Sequence, residues 1–290
     1  MQLPFDRTEE DLGNVVALEH VNVTIPDQIR ATQFYVTGLG LTRDPYMMTG
    51  TNNMWANVGR SQFHLPTREP QVLRGCVGLV LPDREALLGR LRGVAGALAG
   101  TSFAFREADD FVEATCPWGN RIRCHEPSAE RFGRITLGMP YVEFPVPAGT
   151  AEGIVRFYRQ ILGARAVLED GVARIEVGMR QHLLYRETDA PLAPYDGHHL
   201  QVYVADFSGP HRRLLERGLV TEESDQHQYR FVDLVDPDGG RKLFAIEHEV
   251  RSMRHPLYAR PLVNRNPAQT NTRYAPGRDG ATWSMPHPDW

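Results

Sequence analysis

Residues 18–41 read LEHVNVTIPDQIRATQFYVTGLGL, and residues 140–163 read PYVEFPVPAGTAEGIVRFYRQILG. Each is an alternating apolar strand, a short turn holding Pro or Gly, and a helix that carries Phe-Tyr and closes at Leu-Gly. The pairs Phe34-Tyr35 and Phe157-Tyr158 lie 123 residues apart. Each helix is followed by related strand ends, WANVGRSQFHL (55–65) and ARIEVGMRQHLL (173–184), with Val58-Gly59 and Val177-Gly178 offset by 119. A second pair echoes at the same distance: CVGLVLPDREALLGRL (76–91) and HLQVYVADFSGPHRRLL (199–215), with Asp83 and Asp206 again 123 apart. Cys116-Pro-Trp-Gly and Asp236-Pro-Asp-Gly, before the last strand of each half, are offset by 120. A fixed period of this kind is the mark of a duplicated supersecondary unit.

The period-two strands are rich in Val, Phe and Tyr, and the short helices stop at glycine, as helices with a left-handed cap do. The expected architecture is therefore α+β: four tandem βαβββ modules, in the order 1-2-1′-2′, forming two paired curved mixed sheets with an extended C-terminal tail. Residues 1–133 make an N-terminal domain of two modules, Arg131–Gly138 the linker, and residues 134–251 a C-terminal domain of two modules. From Ser252 the periodicity stops. Residues 252–290 hold six prolines, three asparagines and five arginines, yet also Leu257, Tyr258, Leu262, Tyr274, Trp283 and Trp290. A tail so furnished is expected to pack on the body or on a partner subunit, with disorder as the alternative.

Composition narrows the function. With 290 residues, 41% hydrophobic and 23% charged, the chain has material for a real core. Its 32 basic and 36 acidic residues are intermixed, so neither nucleic acid nor an anionic membrane is an expected partner. No apolar run approaches the ~18 residues of a membrane span and no signal-like segment opens the sequence, so the chain reads as cytoplasmic. Lys242 is the only lysine, a composition expected of a GC-rich bacterial genome, and it leaves one candidate for Schiff-base chemistry. Cys76, Cys116 and Cys124 fit neither a disulfide framework nor a cysteine zinc site. No phosphate-cradling or dinucleotide fingerprint is present.

The segments HVNVTIPD (20–27), FYVTGLGL (34–41), GLVLPD (78–83), FYRQILG (157–163) and DPDGGRK (236–242), in this order and with one period, resemble the vicinal oxygen chelate superfamily. That group includes glyoxalase I, type I extradiol dioxygenases and metal-free binding proteins of the resistance type. The resemblance covers roughly residues 15–250 and leaves the tail outside. It implies that two modules pair around a cavity and that the first and last strands of each supply metal ligands. Alternation along a strand lets a short inward row of His and Glu meet at one ion.

On that resemblance, module 1 offers His20 and His64, and module 4 offers His199 and Glu247. Module 2 has Cys76 and Arg123 at those places and module 3 has Tyr141 and His182, so both look emptied. If modules pair 1 with 4, His20, His64, His199 and Glu247 surround one metal. If they pair 1-2 and 3-4, His199 and Glu247 remain ligands, Tyr141 stands where a histidine is expected, and His182 and His227 fall near proton-handling positions. The first pairing is the one favoured. Glu247 carries a misfit: the family's carboxylate comes at the place of Leu243, and Glu247 lies four residues, ~13 Å, further along the strand. Without a bulge it does not reach the ion.

Each residue also has a plain structural explanation. A strand histidine can hydrogen-bond a neighbour, a one-residue slip at His64 would turn it to the other face, and Tyr141 and Trp55 are at home as cavity-wall aromatics. The Phe-Tyr pairs are expected core. The leading expectation is a dioxygenase using Fe(II), with Mn(II) or Zn(II) as alternatives. His20, His199 and Glu247 would be ligands, and His64 a fourth ligand or an acid–base group alongside His182 and His227. Two histidines and a carboxylate leave positions open for a catechol-like substrate with vicinal oxygens and for O₂. The alternatives are a glyoxalase-like Zn or Ni lyase or isomerase, which normally wants a carboxylate where His64 stands, and a metal-free small-molecule binder. A homodimer joined through the tail is the expected assembly.

Overall fold

The period of the sequence becomes four copies of one unit in the computed structural model, which describes residues 6–47 and 52–265. Module 1 contributes β1 (Val15–Asn22), β2 (Thr42–Arg43), β3 (Asn53–Val58) and β4 (Ser61–Pro66). Module 2 contributes β5 (Cys76–Val80), β6 (Ala104–Glu107), β7 (Val112–Thr115) and β8 (Arg121–His125). Module 3 gives β9 (Gly138–Pro147), β10 (Ala166–Glu169), β11 (Val172–Glu176) and β12 (His182–Thr188). Module 4 gives β13 (His199–Val204), β14 (Val220–Asp225), β15 (Gln228–Val235) and β16 (Lys242–Ser252).

Two eight-stranded mixed sheets result. The first runs β14-β15-β16-β13-β1-β4-β3-β2 and the second β10-β11-β12-β9-β5-β8-β7-β6. Modules therefore pair 1 with 4 and 2 with 3, and each sheet draws strands from both halves of the sequence. The seam of the first sheet is the antiparallel β1–β13 pair, flanked by the parallel pairs β1–β4 and β13–β16. The seam of the second is β5–β9.

The helices of modules 1, 2 and 4 begin where an aspartate can cap them. Asp27 accepts from the backbone N–H of Ile29 and Arg30 (2.8 and 3.1 Å), Asp83 from Ala86 (2.9 Å) and Asp206 from Gly209 (3.0 Å). In modules 1 and 3 the helix widens into a π turn across the Phe-Tyr pair, over Thr32–Gly38 and Tyr158–Leu162. Phe34, Tyr35, Phe157 and Tyr158 are all buried in one continuous hydrophobic core. Each such side chain contributes about 1.5–3 kcal/mol by leaving water. Thr32–Gly38 packs on the helix Arg84–Val94 of module 2, and a Cβ on Gly38 would stand 3.3 Å from Val94 Cγ2.

The segment after β16 lies on the body as far as it is described. The Tyr258 ring packs edge-on against Tyr203, with centroids 4.9 Å apart. Arg260 Nη2 donates to Asp44 Oδ2 at 2.9 Å. Asn57 donates to the carbonyl of Val263, and the Asn264 side chain bonds both backbone groups of Gly59. Tyr274, Trp283 and Trp290 lie outside the described residues.

Candidate metal centre

The concave face of the first sheet gathers the side chains that chemistry needs. Register fixes which residues share that face. His20 stands opposite Gln201 on one side and Gln62 on the other; Asn22 stands opposite His199 and His64. His199 pairs with Glu247 and Gln201 with Glu249 along β16. His20 and His199 are thus counterparts across the β1–β13 seam, each at the same place in its module.

His20, His199 and Glu249 form a trio whose ligand atoms lie within 4.8 Å of one another, and all three residues are buried. His64 stands just outside it, its ring centroid 5.8 Å from that of His20. Nε2 of His20, of His64 and of His199 is buried with no hydrogen-bond partner. Three orphaned imidazole nitrogens on one face are costly, about 1–3 kcal/mol each, and a cation in the trio would satisfy those of His20 and His199. The opposite ring nitrogens are held: Glu19 Oε2 is 3.2 Å from His20 Nδ1, Asn22 Nδ2 is 2.6 Å from His64 Nδ1, and Glu247 Oε1 is 3.4 Å from His199 Nδ1. A carboxylate at Nδ1, as at His20 and His199, is how metal-binding histidines are usually oriented, whereas Asn22 Nδ2 donates to His64 Nδ1. Trp55 stacks flat on His64, centroids 3.8 Å apart, and fixes its ring plane. The residues present fit a divalent metal.

Burial is the main force on these groups. It drives the histidine pKa values down, His64 to about 2 and those of His20 and His199 well below normal, so the rings are neutral with a free lone pair. Burial pushes Glu249 up, against the pull of Arg251 and Arg230. Arg230 clamps two carboxylates, with Nη1 at 2.6 Å from Glu247 Oε1 and Nη2 at 2.5 Å from Glu249 Oε2. Arg251 lies 2.7 Å from Glu249 and 3.2 Å from Glu19.

Of the residues singled out in the sequence, His20, His64, His199 and Trp55 come together here. Glu247 is adjacent but faces the Nδ1 side of His199 and the Arg230 guanidinium, outside the trio. The strand does carry the irregularities that its misfit demanded: β16 slips against β15 between Ala245 and His248 and again between Lys242 and Phe244. The carboxylate that joins the histidines is Glu249, two residues on. Tyr141 and His182 sit in the second sheet, paired with each other across β9 and β12. His227 lies in the β14–β15 turn, its ring 6.5 Å from His255, and does not join the trio. Cys76, also in the second sheet, is buried, and burial raises its thiol to about 11.

Sequence reasoning missed Glu19 and Gln201 as well as Glu249. Glu19 is the extra residue of a bulge, since β1 advances two positions from Leu18 to His20 while β13 advances one. That bulge lets neighbouring residues 19 and 20 serve the same face. Gln201 is completely buried with both amide atoms unpartnered. Its place two residues after His199 was the available signal, since i and i+2 share a face.

Comparison with solved structures bears on this arrangement. Glyoxalase I from Zea mays matches over 81% of this chain and 92% of its own, with TM-score 0.56 and 13% identity. A Bacillus subtilis protein described as a "putative dioxygenase" matches over 83% and 86%, with TM-score 0.54 and 14% identity. The chain has the vicinal oxygen chelate fold. At these identities the likeness is one of fold. No family model and no curated protein matches the sequence. Within the vicinal oxygen chelate fold, this chain keeps one furnished sheet and one altered sheet. In the altered sheet the Tyr141 ring fills the space beside Gly78, where a Cβ would stand 2.3 Å from Tyr141 Cε1.

Proposed function

We propose that this protein is a metal-dependent enzyme of the vicinal oxygen chelate type, and that its reaction is dioxygenation of a small catechol-like substrate with two adjacent oxygens. The observation that carries the reading is the trio of two histidines and one carboxylate with orphaned imidazole nitrogens. His20, His199 and Glu249 would hold the ion, Fe(II) in the first instance and Mn(II) or Zn(II) as alternatives. When bound, such an ion supplies Lewis acidity toward both substrate oxygens and, if redox-active, a place for O₂.

The chain's own residues do the rest. Glu19 and Asn22 hold the rings of His20 and His64 through Nδ1, which aims Nε2 into the site. Arg230 and Arg251 balance the buried carboxylates of Glu249 and Glu19. His64, neutral and outside the trio, accepts from Asn22 Nδ2 at Nδ1 and so presents Nε2–H, a donor for an oxygen of the substrate. Gln201 presents an unpaired amide that can orient an oxygen of the substrate. Tyr258 and Arg260 border the face and exclude water from that side.

A glyoxalase-like lyase or isomerase is the second reading. It is favoured by His64, whose orphaned Nε2 would complete a four-ligand set with the Asn22 amide turned to present Oδ1 to Nδ1. No helix among the described residues is long and apolar enough to cross a membrane.

The deciding experiment is elemental analysis of untagged protein, as isolated and after anaerobic Fe(II) loading, beside the His199→Ala variant. About one ion per chain, lost in the variant, is expected. Oxygen consumption with catechol by the Fe(II) form then supports dioxygenation. Turnover of a methylglyoxal–glutathione adduct with Zn or Ni, and no oxygen uptake, supports the lyase. A protein that takes up no metal is a binder, and both enzyme readings fail.

A further inference from the structure

Among the described residues, the second sheet gathers no histidine–carboxylate trio, but it does carry a hollow. On its concave side lies a cavity of about 360 Å³, a size that suits a small organic ligand. Tyr141, Arg174 and His182 line it from β9, β11 and β12, Arg180 from the turn between β11 and β12, and Arg131 and Phe132 from the short helix after β8.

Two of its arginines stand without an anionic partner. Among the described residues, no carboxylate lies within ion-pair distance of Arg174 or Arg180, so neither guanidinium is spoken for by an anionic side chain. Arg174 Nη2 instead lies 3.2 Å from His182 Nε2 and donates to a neutral ring, which leaves its charge uncompensated. Arg131 is paired with Asp110 (3.0 Å) and lies over the Phe132 ring. Glu130 is the one acidic residue of the lining, against three arginines.

Backbone geometry places Arg180 deliberately. It has φ +58°, in the left-handed region that a residue with a Cβ adopts at a cost of about 1–3 kcal/mol. Its stem lies on Gly133, also left-handed at φ +59°, where an added Cβ would stand 3.1 Å from Arg180 Cγ. A strained turn and a glycine bed together hold this guanidinium at the cavity. Tyr141 is pinned by its hydroxyl, 2.8 Å from His125 Nε2. Phe132, Pro140 and Leu184 give the lining an apolar portion beside the cationic one.

We propose that this cavity is a second binding site that takes a small organic monocarboxylate, its carboxylate gripped by Arg174 and Arg180 and its apolar body against Phe132 and Leu184. The planar guanidinium fork matches a carboxylate in two parallel hydrogen bonds. Nothing in this assignment depends on a metal in the first sheet.

The test is calorimetric titration of the metal-stripped full chain with benzoate, benzamide and inorganic phosphate, so that no ion in the first sheet can recruit the carboxylate. Wild-type protein binds benzoate, whereas benzamide, equal in shape but uncharged, is not bound. The R174Q/R180Q double variant binds benzoate at least tenfold more weakly at unchanged melting temperature, and Arg180→Gln alone weakens it by a smaller factor. The His199→Ala variant binds it as the wild type does. Four results overturn the proposal: no benzoate binding, equal binding by the double variant, loss of binding in His199→Ala, or phosphate bound as tightly as benzoate.

Discussion

At the scale of single residues, the candidate centre turns on which carboxylate faces which nitrogen. Glu249 shares a buried trio with the Nε2 side of the histidines, while Glu247 meets Arg230 and the Nδ1 side of His199. Substituting one donor of a metal set removes a bond to the ion; substituting a supporting residue typically costs 10–100-fold in affinity. Glu249→Gln is therefore expected to abolish stoichiometric metal uptake, and Glu247→Gln to weaken it within that range, as read by competition with a chromogenic chelator. Retention of metal by Glu249→Gln with loss in Glu247→Gln would reverse the two roles. His20, His64 and His199 were legible in the sequence because each sits on an alternating strand at a repeated position of its module. Glu249 was not, because β16 slips twice against β15, and each slip breaks the count from the turn that a sequence reader must use. The bulge that turns Glu19 inward left no mark either.

At the scale of elements, a glycine and an aromatic explain why the two sheets differ. Tyr141 occupies in β9 the place that His20 occupies in β1, and its ring lies where a side chain at residue 78 would project. Gly78→Ala forces a Cβ to 2.3 Å from that ring, so it is expected to destabilise the fold by about 1–3 kcal/mol. Chemical denaturation measures this directly. The pair Gly78→Ala with Tyr141→Ala should recover much of the loss, because the two sites are in contact and do not add. A loss no smaller in the double variant would mean that the cost arises elsewhere. Strand and helix types were readable from period, cap and closing glycine. The strand order was a choice between two pairings, because local pattern says where a strand is and not which edge it meets.

At the scale of the whole molecule, burial sets the response to acid. Desolvation lowers eight histidines, His64 to about 2, His182 and His248 to about 4, His20 and His199 well below normal, and His125, His198 and His255 as well. Their folded pKa values lie below the unfolded one, so the unfolded chain binds protons first as pH falls. Stability is full above about pH 6.5 and declines beneath it, by ~1.4 kcal/mol per pH unit for each such histidine. Glu19 and Glu249, raised by burial, oppose this in part. The melting temperature of the metal-free protein is expected to drop between pH 7.5 and 5, and a flat or rising profile there would contradict the neutral assignment. The sheet order has a temporal consequence as well. The second sheet closes within one stretch of chain, β5 to β12, whereas β1 must wait for β13 and β16. At ~5–20 residues per second, a ribosome needs roughly ten seconds to most of a minute to deliver that partner. During this interval the first strand, with His20 already on it, keeps one bare edge in need of shelter, and the candidate metal centre is assembled only after the second sheet can close.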